Sequence, residues 1–248
     1  MLLKVPIDIV PPEELPQVIS RLLLFAESPD NASPGRGQGI VLLSLWDLLR
    51  ARRKGEYRDY VLGAALVLPI SKSIISGARF LTGKEVFRYI PFHFVIGLLS
   101  LLEMRGHSLY LLGGKSQVLK KVESNIRSTF PRLGIVGRHA GGIKKQEQPA
   151  IVEAIRKSSP SLLLAGKGIR GEELWIARNT ASLNSGLRLW CSDIFDVFAK
   201  KKRRPPDVIF DLGLEGLFFC FRNPLRFFRI FPYLWYKLLL LVYKIFKK

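Results

Sequence analysis

A chain of 248 residues with 48% hydrophobic content carries enough apolar surface for one α/β domain of ordinary size, which excludes a disordered polymer. Its two cysteines, Cys191 and Cys220, form neither a disulfide framework nor a CxxC pair, so stapled secreted scaffolds drop out and both thiols are expected buried and inert. The net charge of +19 is the outlying number, and it calls for a polyanionic partner: nucleic acid, anionic lipid or a phosphorylated substrate.

In chain order, residues 2–5 read as a short strand, followed by a turn at Pro11-Pro12 and a helix over about 13–26. The N-terminus lacks the long apolar core and small-residue site of a signal peptide. Residues 28–39, rich in Pro, Gly, Ser and Asn, predict an exposed loop, and 39–45 a buried strand. Residues 47–60 have helical spacing with arginines outward, and 61–68 form an apolar run that stops at Pro69. From 71 to 106 the pattern is helical, broken near Thr82-Gly83 and at Pro91.

The stretch 107–206 organises the chain. Four short apolar runs (107–114, 133–137, 161–166 and 186–191) alternate with helical patterns over 146–157 and 172–183 and a lysine-rich amphipathic segment before Pro131. That alternation predicts parallel βαβ units, hence an α/β fold with a Rossmann-like, mainly parallel sheet flanked by helices. Ligands in such sheets sit at the carboxyl ends of the strands, where Gly113, Gly114, Gly166 and Gly168 fall. These glycines read either as plain β-to-α turns or as places where backbone amides approach a diphosphate. Glu172 and Glu173 open a helix, as dipole-favoured acids or as ligands for sugar or uridine hydroxyls. Trp175 stacks on a ring or packs in the core, and Asp196 caps backbone amides or touches ligand. His93, His107 and His139 show no metal-ligand spacing, and no structural metal and no cofactor is predicted.

The last thirty residues differ in kind. Arg222, Arg226, Arg229, Lys237, Lys244 and Lys248 share a helical sector of about 100°, with aromatic and aliphatic residues filling the rest. Pro224 and Pro232 argue against one unbroken helix, and the apolar run 238–242 falls far short of the roughly 20 residues of a membrane span. The pattern predicts an appendage over 211–248, attached to a domain over 1–210, that lies in the interface of an anionic membrane surface. A nucleic-acid partner is disfavoured, because the charge is interleaved with Phe, Leu and Trp and no recognition element accompanies it.

In the order of these pieces the chain resembles the TagA/WecG/CpsF glycosyltransferases, glycosyltransferase family twenty-six. The matching segments are Leu111-Leu-Gly-Gly114, the stretch 131–141, Gly168-Ile-Arg-Gly-Glu-Glu-Leu-Trp175, Asp196 with Arg204-Pro-Pro206, Leu214-Glu215-Gly216 and Pro224-Leu-Arg226. The resemblance implies transfer of a hexosamine-type sugar from a UDP-sugar donor to a polyprenyl-diphosphate-linked sugar acceptor. It places the reaction at the cytoplasmic face of the bacterial inner membrane, on a peripheral and inverting enzyme of cell-surface polysaccharide synthesis; homo-oligomerisation is left open. Substrate contacts carried over are Arg79, Thr82, Gly83, Gly113, Gly114, His139, Gly166, Gly168, Glu173, Trp175, Asp196, Arg204, Arg222 and Arg226.

One departure bears on catalysis. Where the family has an aspartate in a Pro-Asp-Gly turn, resembling a catalytic base, this chain reads Leu68-Pro69-Ile70-Ser71. Neither Ile70 nor an unassisted Ser71 takes a proton at neutral pH, so an active enzyme needs another carboxylate, for which Glu85 and Glu172 are the candidates. Without one, the chain is an inactive relative that binds nucleotide-sugar or lipid-diphosphate as a pathway partner.

Overall fold

The computed structural model describes residues 1–27, 38–183, 185–202, 210 and 230–246. Six strands, β1 (Gly39–Leu43), β2 (Leu66–Pro69), β3 (Ser108–Leu112), β4 (Gly134–His139), β5 (Leu162–Ala165) and β6 (Leu187–Trp190), form one sheet. Its order is β2-β1-β6-β5-β3-β4, and every pairing is parallel. The expected Rossmann-like α/β sheet is therefore present.

Side chains alternate across the sheet and both faces are covered, which is why the strands read as continuous apolar runs. On one face Leu109, Leu111, Leu162 and Leu164 share a core with α1 (Leu15–Glu27), α5 (Pro91–Arg105), α6 (Ser116–Thr129) and α9 (Ile194–Phe198). On the other, Val41, Leu43 and Val67 pack with α2 (Leu45–Ala51), α3 (Glu56–Leu62) and α4 (Lys72–Thr82). Tyr110, Leu112 and Leu163 pack there with α7 (Gln148–Ser158) and α8 (Glu173–Leu183). β4 is an edge strand on which exposed and half-buried residues alternate, with Arg138 paired to Glu123 of α6.

Helix ends follow local chemistry. Gly83 and Gly106 adopt the left-handed conformation that terminates α4 and α5, and Pro91 opens α5 at a position that needs no amide donor. Two expectations need correction. Residues 2–5 form an isolated antiparallel bridge, not a strand, because Leu3 and Lys4 turn back at positive φ (49° and 69°). The predicted helix over 47–60 is two helices, interrupted at Gly55 with φ 145°.

The proposed boundary at 210/211 borders residues outside those described, and Cys220, Arg222, Pro224, Arg226, Arg229 and Lys248 lie outside the described residues. Beyond them, α10 (Ile230–Phe246) packs on α4 and α2, with Tyr236, Leu239 and Leu240 buried. Pro232 lies in its first turn, where the missing amide costs no helical bond. No helix among the described residues is long and apolar enough to cross a membrane. A Cβ on Gly77 of α4 would fall on the Tyr236 hydroxyl, which is buried without a hydrogen-bond partner. Tyr236→Phe is accordingly expected to stabilise the chain by about 1 kcal/mol, since it removes an unsatisfied buried hydroxyl and little else; urea unfolding measures it.

Candidate active site

The sheet has a topological switch between β3 and β5. After β3 the chain moves outward to β4, whereas after β5 it moves the other way to β6. A crevice at the carboxyl ends of such a pair is where an α/β sheet takes its ligand. Here the loops leaving β3, β4 and β5 are stitched together through their backbones. Gly113 N–H donates to the His139 carbonyl (2.8 Å), Gly114 N–H to Lys167 (2.6 Å), Gly141 N–H to Gly114 (2.7 Å) and Gly142 N–H to Gly168 (2.6 Å). The lattice requires glycine: a Cβ on Gly113 would lie 2.5 Å from the Gly166 carbonyl oxygen, and one on Gly141 2.6 Å from that of Gly168.

This arrangement redistributes the roles read from sequence. The Gly113 and Gly114 amides are spent on neighbouring loops, so these glycines bring the loops together. The first turn of α6, which starts just beyond Gly114, has no side-chain cap on its amides. Such an uncapped helix start suits an anion.

Beside it stands a residue that sequence reasoning missed. Lys167, between Gly166 and Gly168, ion-pairs with Asp196 and with Asp193 (3.4 Å), and Asp193 in turn pairs with Lys202. The Asp196 hydrogen bond comes first in holding the Lys167 ammonium above its usual range. Desolvation pushes Asp193 up, but Lys202 and Lys167 together bring its carboxyl below the ordinary value. The lowered carboxyl contributes stability above the unfolded carboxylate pKa and loses it as pH falls through the folded one. The raised ammonium contributes below the unfolded lysine pKa and loses it as pH rises through its own. The lattice is thus intact from mildly acidic to mildly alkaline pH. A cation between two glycines directly after a parallel strand was the available signal.

The carboxyl ends of β1 and β2 form the other half of the edge. Ser71 Oγ accepts from the Leu45 amide (3.0 Å), so the hydroxyl at the Ile70-Ser71 turn is engaged in fixing α2. Ser44 caps the same helix: its Oγ donates to Asp47 Oδ2 (2.5 Å), and Asp47 also accepts from the Ser44 amide (3.1 Å). Burial holds the Asp47 carboxyl above the usual carboxylate range, against the pull of those two bonds.

The loop between α4 and α5 returns to this turn. Tyr89 N–H donates to the Pro69 carbonyl (3.1 Å) and Arg88 Nε to that of Ile70 (2.8 Å). The Arg88 guanidinium also bonds the Phe210 carbonyl and lies 3.6 Å from the centre of its ring. Glu85 is exposed on this loop, and Arg79, Thr82 and Gly83 are exposed at the end of α4 just before it. Arg88 and Asp47 were not singled out from sequence, because neither sits in a recognisable motif.

The remaining candidates divide by depth. His139 ends β4, with Nδ1 2.7 Å from the Ala140 carbonyl, a contact that puts the proton on Nδ1 and leaves Nε2 as acceptor in the neutral ring. Glu172 is exposed with φ 51°, in the turn that starts α8. Glu173 is buried and paired with Arg50 of α2 (2.5 Å), joining α8 to α2. Trp175 is 3% exposed in the core under β3 and β5, so both residues support the edge from beneath it. Arg204, Arg222 and Arg226 lie outside the described residues. Among the described residues no three His, Cys, Asp or Glu side chains converge as metal ligands.

With this geometry in place the comparisons with known proteins can be weighed. The Glyco_tran_WecG family, described as the glycosyl transferase WecG/TagA/CpsF family, matches residues 1–248. The chain belongs to that family. It is also 23% identical over 175 residues, 71% of its own length and 68% of the relative's, to a Bacillus subtilis (strain 168) protein. That protein is named N-acetylglucosaminyldiphosphoundecaprenol N-acetyl-beta-D-mannosaminyltransferase. In this WecG/TagA/CpsF member the stitched glycine loops, Lys167 and the bare Ile70-Ser71 turn all occupy one sheet edge.

The same edge holds Cys191, whose thiol burial pushes up to about 12. Roughly a thousandfold less thiolate than in an ordinary cysteine is then present at neutral pH. In a Cys220→Ser background, iodoacetamide should modify Cys191 at least about a hundredfold more slowly in the native protein than in urea, as read by mass spectrometry.

Proposed function

We propose that this chain transfers a hexosamine-type sugar from a UDP-sugar to a polyprenyl-diphosphate-linked acceptor, as a peripheral enzyme at the cytoplasmic face of the bacterial inner membrane. The observation that carries the reading is the crevice between β3 and β5, where a tight backbone floor meets the uncapped start of α6 and Lys167. Displacement at the anomeric carbon leaves UDP, and the negative charge that grows on its diphosphate is met by the first-turn amides and the ammonium. The glycines exclude side chains from the path of the phosphates, and His139, Glu172 and Asp196 border the same edge. The acceptor hydroxyl attacks from the opposite face of the sugar and gives its proton to a carboxylate, Glu85 or Glu172.

The appendage over 211–248 supplies the membrane side. At about 100° per residue, Phe231, Leu234, Trp235, Leu238, Leu241, Val242 and Ile245 fall within about 120° of one another on α10. All seven are exposed, on the side away from the buried Tyr236, Leu239 and Leu240. Lys237 and Lys244 flank this apolar face, where they meet anionic headgroups while the aromatics settle at the boundary. Arg204, Arg222 and Arg226 are assigned to the lipid diphosphate.

The test is UDP release from UDP-N-acetylmannosamine and UDP-N-acetylglucosamine with a short-chain lipid-diphosphate sugar as acceptor. Acceptor-dependent release is expected from at least one donor; absence of both turnover and donor binding would sink the mechanism. A second reading, an inactive relative that keeps its ligands, is favoured by the engagement of Ser71 Oγ with the Leu45 amide and by the missing carboxylate at Ile70. Donor binding without turnover on either substrate would select it.

A further inference from the structure

α2 and α10 enclose a cleft of ≈ 560 Å³ whose walls include Arg50, Arg52, Arg53, Trp46, Phe231 and Trp235. We infer that this cleft is a binding site for the phosphodiester headgroup of an anionic membrane lipid. The inference rests on the proposed membrane attachment of α10 and adds a defined headgroup site to it.

Charge is the first argument. Among the described residues no carboxylate lines the cleft. Arg50 is committed to Glu173, and the one acid on α2, Asp47, is engaged with Ser44. Arg53 is exposed, while Arg52 has its Nε buried without a hydrogen-bond partner, its guanidinium 5.8 Å from the centre of the Tyr243 ring. An oxyanion in the cleft gives the guanidinium N–H groups that Arg52 and Arg53 present to it an acceptor. Phosphate oxygens match the guanidinium fork in shape as well as charge.

Position is the second argument, and it selects a lipid over a free phosphate or nucleotide. Phe231 and Trp235 belong both to the cleft wall and to the exposed apolar face of α10, at 64% and 54% exposure. Trp46, 61% exposed, stands on the other wall. A phosphate held by Arg52 and Arg53 therefore has apolar ground beside it, onto which its acyl chains continue, while the indoles lie at headgroup level. A soluble phosphate would leave that ground in water. The apolar face of α10 is thus bordered by basic groups on both flanks, Lys237 and Lys244 on one and the arginine cleft on the other.

The experiment uses the full chain with phosphatidylcholine vesicles, with and without phosphatidylglycerol, and measures partition by co-sedimentation. Arg52→Gln/Arg53→Gln is expected to weaken binding to phosphatidylglycerol vesicles about thirtyfold, because two basic groups no longer meet the anionic surface. The charge-matched Lys120→Gln/Lys121→Gln, on α6, should weaken it less than about threefold, because these lysines lie well away from the docked face. Arg52→Lys/Arg53→Lys keeps the charge and loses the forks, and should still fall at least about fivefold.

Equal losses in the two glutamine pairs, or full binding by the lysine pair, would overturn the site and leave only diffuse attraction. Soluble UDP should not displace the vesicles; displacement would assign the cleft to the donor and equally overturn the inference. Failure of the wild type to bind any vesicle removes the membrane reading itself, a result distinct from the variant pattern. Melting curves check each variant's fold. If the double glutamine variant is unfolded, the exposed Arg53→Gln alone should lose about fivefold, and wild-type binding by it would count against the site.

Discussion

Alanine at Gly113 is expected to destabilise the protein by about 3 to 5 kcal/mol, the sum of left-handed backbone strain and overpacking. Both contributions are visible. Gly113 has φ 114°, and the added methyl would sit 2.5 Å from the Gly166 carbonyl oxygen and 3.1 Å from that of Lys167. Those atoms are main chain and cannot swing aside as a long side chain would. Relief requires the loops after β3 and β5 to part, which breaks the Gly114–Lys167 bond with them. Gly142→Ala is the matched control: φ is 80°, but nothing lies within 4 Å of its added Cβ, so strain alone operates and the cost is about 1 kcal/mol. Thermal unfolding should show a fall of about 10 °C for Gly113→Ala and a few degrees for Gly142→Ala. Equal shifts would mean that the loops yield easily and that the stitching is not tight.

Glu85→Ala is expected to lower acceptor-dependent kcat by about 10² to 10⁴, the range for loss of a general base. The Ile70-Ser71 turn holds no carboxylate, and the Ser71 hydroxyl is engaged by the Leu45 amide. The nearest chain to re-enter that spot is the α4–α5 loop, which Arg88 and Tyr89 bind to the carbonyls of Ile70 and Pro69. Glu85 precedes Tyr89, whose amide bonds the Pro69 carbonyl, by four residues, which puts its backbone at most about 17 Å from the turn, a gap that loop closure has to shorten. Ile70→Asp in the same background should restore part of the rate. If Glu172→Ala produces the loss instead, the base belongs to the α8 turn. If neither variant changes the rate, no relocated carboxylate serves as base.

The sheet was legible because parallel strands buried on both faces announce themselves as unbroken Leu, Ile and Val runs between helical periods. Pro91 and Gly83 marked helix ends through backbone chemistry alone. The break in the predicted 47–60 helix was harder to read, since a glycine costs a helix only about 1 kcal/mol and the spacing on either side remained helical. At the site, the glycines after β3 and β5 were correctly located by strand ends, but their partners were not. Hydrogen bonds between loops distant in sequence leave no periodicity, so the commitment of the Gly113 and Gly114 amides was invisible. Lys167 escaped for a related reason: its meaning comes from Asp193 and Asp196, which arrive with the next strand. Glu172 and Glu173, adjacent and alike in sequence, point one to solvent and one inward, where it is buried against Arg50, a division only packing decides.

Stitching three loops through their peptide groups leaves the floor of the crevice with almost no side chain to exchange. Its shape is written in the main chain, so ordinary point substitution can break the floor but has little means of reshaping it. Divergence toward new donors must then act on the rim, where the α4–α5 loop and the α8 turn carry exposed side chains such as Lys84, Glu85, Arg170 and Glu172. Libraries aimed at changing which sugar is transferred should leave Gly113, Gly141 and Gly166 fixed and diversify Lys84, Glu85, Arg170 and Glu172.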